Sequence, residues 1–408
     1  MKQVNSVIST YSADVFGAAS ALFELGGMTV IHDPSGCNST YTTHDEPRWF
    51  NSKTLLYISG LTEQDAILGN DKKLIDEVSE TAIIQKPRFI ALLSAQMPAM
   101  LGIDLKGISR IIEKNTDIPT FSLPTNSMRD YSVGISLALG KIVDIITNKT
   151  VPIPEIYRSG VNLLGLTPLD FALNGTNKSI IDFFEGNGIS VISKFAMGCD
   201  FDGLFNARKA KINIVLTYGG LFAARTMKKL WGIPYIIGLP VGKLQSKILN
   251  IIKKYDCFMP ESGATATNGC ILWQDGEKSP FLRLNGAKEV RSGKIYLIHE
   301  SVIAASLATA IEEAIDEKIT VIYTTSTEKE LMREGDEVFK SETELAEKFK
   351  HADLIIADPM YKPIAENKRF VCLPHIAFSG RTYQRSYINF ISEFIELTEK
   401  VRKALRKR

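Results

Sequence analysis

Cysteine is scarce in this sequence, and the cysteines present lack the spacing of a metal motif. Five occur among 408 residues, and no two of them form a C-x-x-C pair. In a reducing compartment such cysteines are free thiols or metal ligands, so a disulfide framework is not expected. The five are Cys37, Cys199, Cys257, Cys270 and Cys372.

The sequence has no excess of charge of either sign. Lys and Arg number 48 against 46 Asp and Glu, which leaves a formal net charge of +2. This balance gives no global field that would attract nucleic acid or an anionic membrane, and neither is expected as a partner. The densest basic run, at 400–408, is interpreted as the solvated end of a helix and is assigned no function.

Long apolar runs are absent as well. No segment offers about 18 uninterrupted apolar residues, the length needed to span a bilayer. The first residues also lack a charged region followed by an apolar run and a cleavage site. Together these absences predict a cytoplasmic protein without a membrane segment.

Several catalytic signatures are missing too. The sequence has no G-x-x-x-x-G-K-[ST] loop and no G-x-G-x-x-G that follows a strand and opens a helix, which excludes ATP or dinucleotide binding by these devices. H-E-x-x-H and G-x-S-x-G are also absent, so hydrolysis by the corresponding zinc or serine machinery is not expected. Five histidines are scattered along the chain, and each alone is interpreted as a structural side chain.

Apolar β-branched runs alternate with segments of helical periodicity along the chain, a pattern typical of parallel sheets covered by crossover helices. The sequence therefore predicts an α/β protein of three doubly wound, Rossmann-like domains with mostly parallel sheets. The predicted domains are residues 1–155, which carry the Cys37 loop, residues 156–258, and residues 259–408, which end in a long helix over 384–405.

The most informative loop follows a predicted strand at 28–32. It contains Pro34 and Gly36, and a thiol, Cys37, comes directly after them. Open α/β sheets bind ligands outside the carboxyl ends of their strands. A thiol at such a position can act as a thiolate nucleophile or as a soft-metal ligand. A buried structural cysteine would give the same pattern, so these residues alone leave all three interpretations open.

Residues 31–37, I-H-D-P-S-G-C, resemble the strand–loop–cysteine element of the nitrogenase component 1 family. Residues 62–74 are similar to its T-E-x-D-x-x-x-G-G-x-x-x-L segment, and residues 94–96 with 102–104 are similar to its S-x-C and G-D-D elements. The resemblance covers nearly the whole chain and implies the family's fold. Further counterparts follow in order at 161–165, 231–235, 240–242 and 351–357.

The resemblance also implies a cofactor site. Subunits of this family usually contribute three cysteines to an iron–sulfur cluster at a subunit interface. By that analogy Cys37 is a cluster ligand, Ser35 and Gly36 shape its loop, and Gln96 occupies the position of another ligand.

The departures from the family pattern limit what this site can hold. The first family cysteine falls near Tyr11 or Ser12 and the third on Gln96, so only the central one is present. The cysteine that anchors the iron–molybdenum cofactor aligns with Thr217, whose hydroxyl cannot replace a thiolate for iron. A four-iron cluster needs about four protein ligands. The resemblance thus implies a cluster shared with a second chain, and it argues against nitrogen fixation by this chain.

What the resemblance implies is a nitrogenase-like reductase subunit, in a homodimer or in a heterodimer with a paralogous component 1 subunit. Its electron donor would be an ATP-hydrolysing iron protein, and the sequence does not name its substrate. The loss of two of three cysteines favours an alternative, a non-catalytic scaffold or metallocofactor-binding subunit that supports a catalytic paralogue. A third hypothesis, a redox-independent small-molecule binder, rests on the interdomain clefts alone.

Overall fold

Three parallel β-sheets, one after another along the chain, form the framework of the protein. Every strand pair in them runs in the same direction. This confirms the predicted α/β class with Rossmann-like parallel sheets. The computed structural model describes residues 5–34, 36, 38, 41, 45–52, 54–149, 158–257, 294–339 and 341–406.

The first sheet has four strands: β1 (Met28–His32), β2 (Leu55–Ile58), β3 (Ile90–Ser94) and β4 (Thr120–Leu123). Their order is β2-β1-β3-β4, and β1 and β3 are buried at every residue. Such strands are buried and mostly apolar because helices cover both faces of the sheet. The helices are α1 (Asp14–Leu22), α2 (Glu63–Leu68), α3 (Asp71–Gln85), α4 (Gln96–Leu101), α5 (Leu105–Thr116) and α6 (Tyr131–Lys149).

The second sheet repeats this winding with the order β6-β5-β7-β8. Its strands are β5 (Val161–Leu164), β6 (Val191–Lys194), β7 (Ile212–Val215) and β8 (Tyr235–Ile237). Its helices are α7 (Pro168–Phe171), α8 (Thr176–Gly186), α9 (Phe201–Leu204), α10 (Tyr218–Trp231) and α11 (Leu244–Cys257).

The third sheet has five strands in the order β11-β10-β9-β12-β13. They are β9 (Ile295–Leu297), β10 (Ile319–Tyr323), β11 (Glu337–Val338), β12 (Leu354–Ala357) and β13 (Phe370–Cys372). The helices are α12 (Ser301–Ile315), α13 (Glu342–Lys350), α14 (Lys362–Ala365), α15 (Ile376–Ser379) and α16 (Phe394–Arg406). The domain boundaries given above remain a prediction.

The first strand of each sheet lies inside the sheet and not at its edge. β1 lies between β2 and β3, β5 between β6 and β7, and β9 between β10 and β12. The winding direction therefore reverses beside these strands, and such switch points are where open α/β sheets bind ligands.

Within the described ranges, no helix combines the length and apolar character needed to cross a membrane.

Helix α6 joins the first two sheets, because it packs against both α1 and α10. The backbones of α1 and α6 nearly touch. A Cβ atom on Gly17 would lie 1.8 Å from the carbonyl oxygen of Tyr131, and one on Gly134 would lie 1.8 Å from that of Asp14. Only glycine fits at these two crossing points.

The C-terminal helix is shorter than the predicted span of 384–405. It begins at Phe394, because the chain before it is held by a polar side chain. The Oδ1 atom of Asn389 accepts the N–H groups of Ile391 and Ser392, both at 3.1 Å. This is the pattern by which an N-cap residue starts a helical turn, and the sequence analysis overlooked it.

Candidate functional site

Two of the predicted site residues lie at neighbouring strand ends of the first sheet. β1 and β3 pair up to their last residues, His32 opposite Ser94. Gly36 follows β1 and is exposed, and Gln96 is the exposed first residue of α4, after β3. Both therefore belong to the edge where the winding of this sheet reverses. The remaining two, Ser35 and Cys37, lie outside the described residues.

Both ends of the loop after β1 are fixed by hydrogen bonds. The Asn38 side-chain amide donates to the carboxylate of Asp33, whose carbonyl accepts the N–H of Leu61 at 3.0 Å. The hydroxyl of Ser59 lies 3.1 Å from the Asp33 nitrogen and 2.7 Å from Nδ1 of His32. Burial lowers the pKa of His32 and raises the pKa of Asp33, so it favours the neutral form of each.

The T-E-x-D segment recognised in the sequence is a helix cap. Thr62 Oγ1 accepts the N–H of Asp65 at 3.1 Å, as in a capping box. The Asp65 carboxylate accepts bonds from the Thr62 hydroxyl at 2.6 Å and the Asn70 amide at 2.9 Å. These bonds, with Lys73, hold the pKa of Asp65 well below its usual range. Gly69, at φ 64°, then ends α2 in the left-handed conformation.

Four possible ligands among the described residues line one pocket at this edge, but they do not form a metal site: His32, Asp65, Asp71 and Asp104. In the part of the chain that the structure describes, no three His, Cys, Asp or Glu side chains are grouped so that they could hold a metal ion. Two free thiols are described, Cys199 and Cys372. The loop of Cys199 contacts the opposite, amino edge of the first sheet, where Gly198 N–H donates to Glu24 at 2.6 Å. Cys372 ends β13 in the third sheet.

Two of the residues that stand at family cysteine positions, Tyr11 and Thr217, have other partners. The Tyr11 hydroxyl lies 2.8 Å from Thr324 Oγ1, and its ring centroid is 4.6 Å from that of Phe378. Burial raises the pKa of this tyrosine well above its ordinary value. The Thr217 hydroxyl is fully buried and donates to the carbonyl of Gly165 at 2.8 Å. Both side chains therefore serve packing between elements.

A second candidate site, which the sequence analysis missed, lies where the carboxyl ends of all three sheets meet. Tyr131 follows β4, Asp170 follows β5 and His375 follows β13. The Tyr131 hydroxyl donates to Asp170 Oδ1, and Nε2 of His375 lies 2.9 Å from the same oxygen. The ring of His299, after β9, stacks on His375 with centroids 4.1 Å apart. We call these four residues and Glu300 the central polar cluster.

All five side chains of the central polar cluster are buried. Glu300 accepts the N–H of Tyr218 at 2.7 Å and caps α12. Neither ring nitrogen of His299, nor Nδ1 of His375, has a hydrogen-bond partner among the described residues. Burial therefore favours the neutral form of both stacked histidines, since these unpartnered nitrogens have no acceptor that would support a charge.

Burial shifts the pKa values of the acids and of the histidines in the central polar cluster in opposite directions. It raises the pKa of Asp170 to about 7, and together with the nearby Asp170 charge it raises the pKa of Glu300 to about 8. It lowers the pKa of His375 to about 3 and that of His299 well below its ordinary value. The cluster therefore holds its protons on the carboxyl groups near neutral pH.

A cleft of about 640 Å³ opens beside the central polar cluster. Tyr11 lines it, and the same ring lies 5.6 Å from the His375 ring and 6.3 Å from the Tyr131 ring, between centroids. Tyr11 thus separates the cleft from the buried cluster. The volume is in the range of small-molecule sites. Other lining residues include Phe16, Asp130, Thr324, Tyr361 and Phe378.

Comparison with known proteins assigns the family. The profile of the nitrogenase component 1 type oxidoreductases matches residues 14–250, more than half of the chain. The protein belongs to this family. The matched range runs from α1 into α11 and so includes the first two sheets.

Relatives within the nitrogenase component 1 type family include cofactor-assembly and reductase proteins. The nitrogenase iron-molybdenum cofactor biosynthesis protein NifE of Clostridium pasteurianum is 28% identical over 216 residues, 51% of this chain and 45% of the relative. A subunit of the light-independent protochlorophyllide reductase of Prosthecochloris aestuarii is 25% identical over 219 residues, 52% of this chain and 40% of the relative. The chain thus covers less than half the length of these relatives.

The fold of this chain is similar to that of a solved structure, "Nitrogenase Cp1 at pH 6.5". The TM-score is 0.68 and the sequence identity is 17%. The match covers 99% of this chain and 94% of that one. At this identity the likeness shows the fold alone, including the third sheet. The family and fold expected from the sequence are confirmed.

The pH dependence of stability is expected to reveal the buried carboxyl groups. Groups with raised native pKa values stabilise the fold at low pH, and that contribution is lost as pH rises through about 7 for Asp170 and about 8 for Glu300. The two histidines, whose pKa values are lowered, change the stability with pH in the opposite direction. They do so only at pH values below their ordinary pKa of 6.5. The free energy of unfolding should therefore fall by about 1–2 kcal/mol between roughly pH 6.5 and 8.

Urea denaturation at a series of pH values checks this expectation. Asp170→Asn removes one of the two ionising carboxyl groups, so its free energy of unfolding should fall less over the same pH window. Asp182→Asn, on an exposed stretch of α8, should keep the wild-type slope. Equal slopes for wild type and Asp170→Asn would show that Asp170 does not titrate there.

Proposed function

We propose that this chain is a nitrogenase-like reductase subunit whose Cys37 helps to hold an iron–sulfur cluster at an interface with a second subunit. The observation that supports this most directly is the edge of the first sheet, where the loop of Cys37 and the residue Gln96 follow neighbouring strands beside an exposed apolar surface. An ATP-hydrolysing iron protein supplies the electrons, since this sequence has no phosphate-binding loop of its own.

Six large apolar side chains are exposed on α2, on α4 and in the segment between β4 and α6. Ile67 and Leu68 of α2 are 74% and 79% exposed, and Met100 of α4 is 69% exposed. Grouped apolar side chains on a surface are typical of protein interaction sites. The set, which we call the apolar edge surface, is Ile67, Leu68, Met97, Met100, Leu101 and Met128.

The ligand count supports a shared cluster. A four-iron cluster takes about four protein ligands, normally thiolates. Cys37 is the one cysteine of the family's cluster set in this chain, and Tyr11 directs its hydroxyl to Thr324. One chain therefore does not complete the ligand set. A second copy or a paralogous subunit, docked on the apolar edge surface, supplies the rest.

The cleft beside the central polar cluster suits the substrate of a reductase. Reduction consumes protons as well as electrons, and a general acid works best with a pKa near the operating pH. Burial raises the pKa of Asp170 to about 7. Tyr11 stands between this acid and the cleft, so we assign the cleft to the substrate and the cluster to the supply of protons.

The interface can be tested by placing a charge on the apolar edge surface. Leu68→Glu should weaken association with the second subunit at least about tenfold, because a buried unpaired carboxylate costs several kcal/mol. Sedimentation velocity of the protein, alone and with its paralogous subunit, measures the effect. Ile395→Glu is the matched control, since Ile395 is 77% exposed on α16. Equal association of both variants would contradict the assigned interface.

The named relatives favour a second candidate function. Six of the first eight relatives carry the name of the cofactor biosynthesis protein NifE. In this alternative the chain binds a metallocofactor or supports a catalytic paralogue without transferring electrons itself. Cys37→Ala would then leave the activity of the paralogous partner nearly intact, whereas the reductase function requires a severe loss.

A further inference from the structure

A basic cavity of about 680 Å³ lies between β13, the turn at Gln384–Ser386 and helix α16. It belongs to the outer edge of the third sheet, since β13 is the last strand in the sheet order. Four cationic side chains line it, and its lining contains no Asp or Glu among the described residues. The four are Arg369, Arg385, Lys400 and Lys403.

Much of this positive charge is available to a ligand. No ion pair or hydrogen bond is found for the side chains of Arg385 and Lys403 within the described part of the chain. Lys400 pairs with Glu396 at 2.9 Å, but both side chains are more than half exposed, and such pairs are weak. Arg369 donates one bond, at 3.1 Å, to the carbonyl of Leu405, which leaves its other guanidinium donors free to bind an anion.

The strand edge adds backbone donors to the cavity. On the side of β13 that faces β12, the Arg369 carbonyl accepts the N–H of Ile355 at 3.0 Å. On the same side, the Leu373 N–H donates to the carbonyl of Ala357 at 2.8 Å. Because successive peptide groups of a strand point in opposite directions, the N–H groups of Phe370 and Cys372 face away from β12. Both residues line the cavity, so its wall combines cations with outward-facing N–H groups.

Most of the rest of the wall is apolar, with Ser386 as a polar exception. Phe370, Val371 and Ile388 line the cavity, and the last two are buried. An inorganic anion alone would leave this surface exposed to water. A ligand that joins several negative charges to a flat apolar body would use both parts of the wall, because Arg side chains bind phosphates and also stack on planar rings.

We propose that the basic cavity binds a nucleoside di- or triphosphate. Four cations match the three to four negative charges of such a molecule, and the volume is within the range of about 300–1,000 Å³ for small-molecule sites. Recognition would use side chains and a strand edge rather than the glycine-rich loops that the sequence lacks. This site lies apart from the Cys37 loop, and the proposal does not depend on the proposed function.

Calorimetric titration of the full chain tests the proposal with ATP, inorganic triphosphate and adenosine. ATP should bind at least about tenfold more tightly than triphosphate, and adenosine should not bind measurably. Arg385→Ala should weaken ATP binding about tenfold, since it removes charge-assisted hydrogen bonds. Arg110→Ala, which removes the same charge from an exposed position on α5, should leave binding unchanged.

The thiol of Cys372 gives an independent readout because it lines the cavity and is half-buried. Saturating ATP should slow its alkylation by iodoacetamide at least about fivefold, as followed by peptide mass spectrometry, while alkylation of Cys199 stays unchanged. Triphosphate binding as tight as ATP binding, equal weakening by Arg385→Ala and Arg110→Ala, or equal alkylation of Cys372 with and without ATP would overturn the proposal.

Discussion

Under the proposed function, replacing Cys37 with alanine is expected to remove the iron–sulfur cluster and to abolish reductase turnover. The chain has one cysteine of the family's cluster set, so no neighbouring thiol of that set can take its place. Loss of a metal ligand should lower cluster occupancy and turnover by about a hundredfold or more. The measurement is iron content and electron uptake from the iron protein, made on the complex with its second subunit.

Cys199→Ala is the matched control for this substitution. Its thiol is free and half-buried, and its loop contacts the amino edge of the first sheet. Iron content and turnover should therefore stay at the wild-type level. If Cys37→Ala also kept full turnover, the scaffold function would replace the reductase function.

The second large effect is expected from Gly134→Ala. A Cβ atom there would lie 1.8 Å from the carbonyl oxygen of Asp14 and 2.8 Å from the backbone nitrogen of Ala18. Both are backbone atoms of α1, so no side-chain rotation relieves the clash and the two helices must separate. The expected loss is about 3 kcal/mol or more in the free energy of unfolding. Because α6 begins at Tyr131, its displacement would also disturb the central polar cluster.

Gly186→Ala provides the control for Gly134→Ala. Gly186 lies in helix α8, and a Cβ atom there would meet nothing within 4 Å. Alanine should stabilise this helix by about 0.5–1 kcal/mol, because it restricts the unfolded chain. Thermal and urea denaturation measure both changes. Wild-type stability of Gly134→Ala would contradict the close approach of α1 and α6.

Regular elements could be predicted wherever one segment contains its own signal. β12 at Leu354–Ala357 is a short apolar run, and α13 at Glu342–Lys350 has a serine cap and an apolar stripe. The sequence pattern predicts a helix over 342–350 and a strand over 354–357, and the structure has both with these bounds. The start of the C-terminal helix could not be predicted in this way. It depends on the capping role of Asn389, which hydrophobic periodicity does not reveal.

The two groups of polar residues could not be predicted because they form only in the assembled fold. Tyr131, Asp170 and His375 come from three different sheets, so no spacing in the sequence relates them. From the sequence alone, the basic run at 400–408 is expected to be a solvated helix end. Two of its lysines become part of a possible anion site because Arg369 and Arg385, from other elements, line the same cavity.

The predicted cluster site shows the limit of the family resemblance. The resemblance identified the family and the fold, and the structure places Gly36 and Gln96 at neighbouring strand ends. The resemblance does not supply the missing ligands, which the proposed function assigns to a second chain. The roles of Cys37 and Ser35 therefore stay predictions that chemistry must test.

The most direct test of the proposed function is the iron and acid-labile sulfide content of protein purified without oxygen, alone and with its paralogous subunit. A reductase subunit with a shared cluster predicts about four irons and a matching amount of sulfide per dimer in at least one of the two preparations. Protein free of iron and sulfide in both preparations would contradict the proposed cluster and leave the scaffold function in its place.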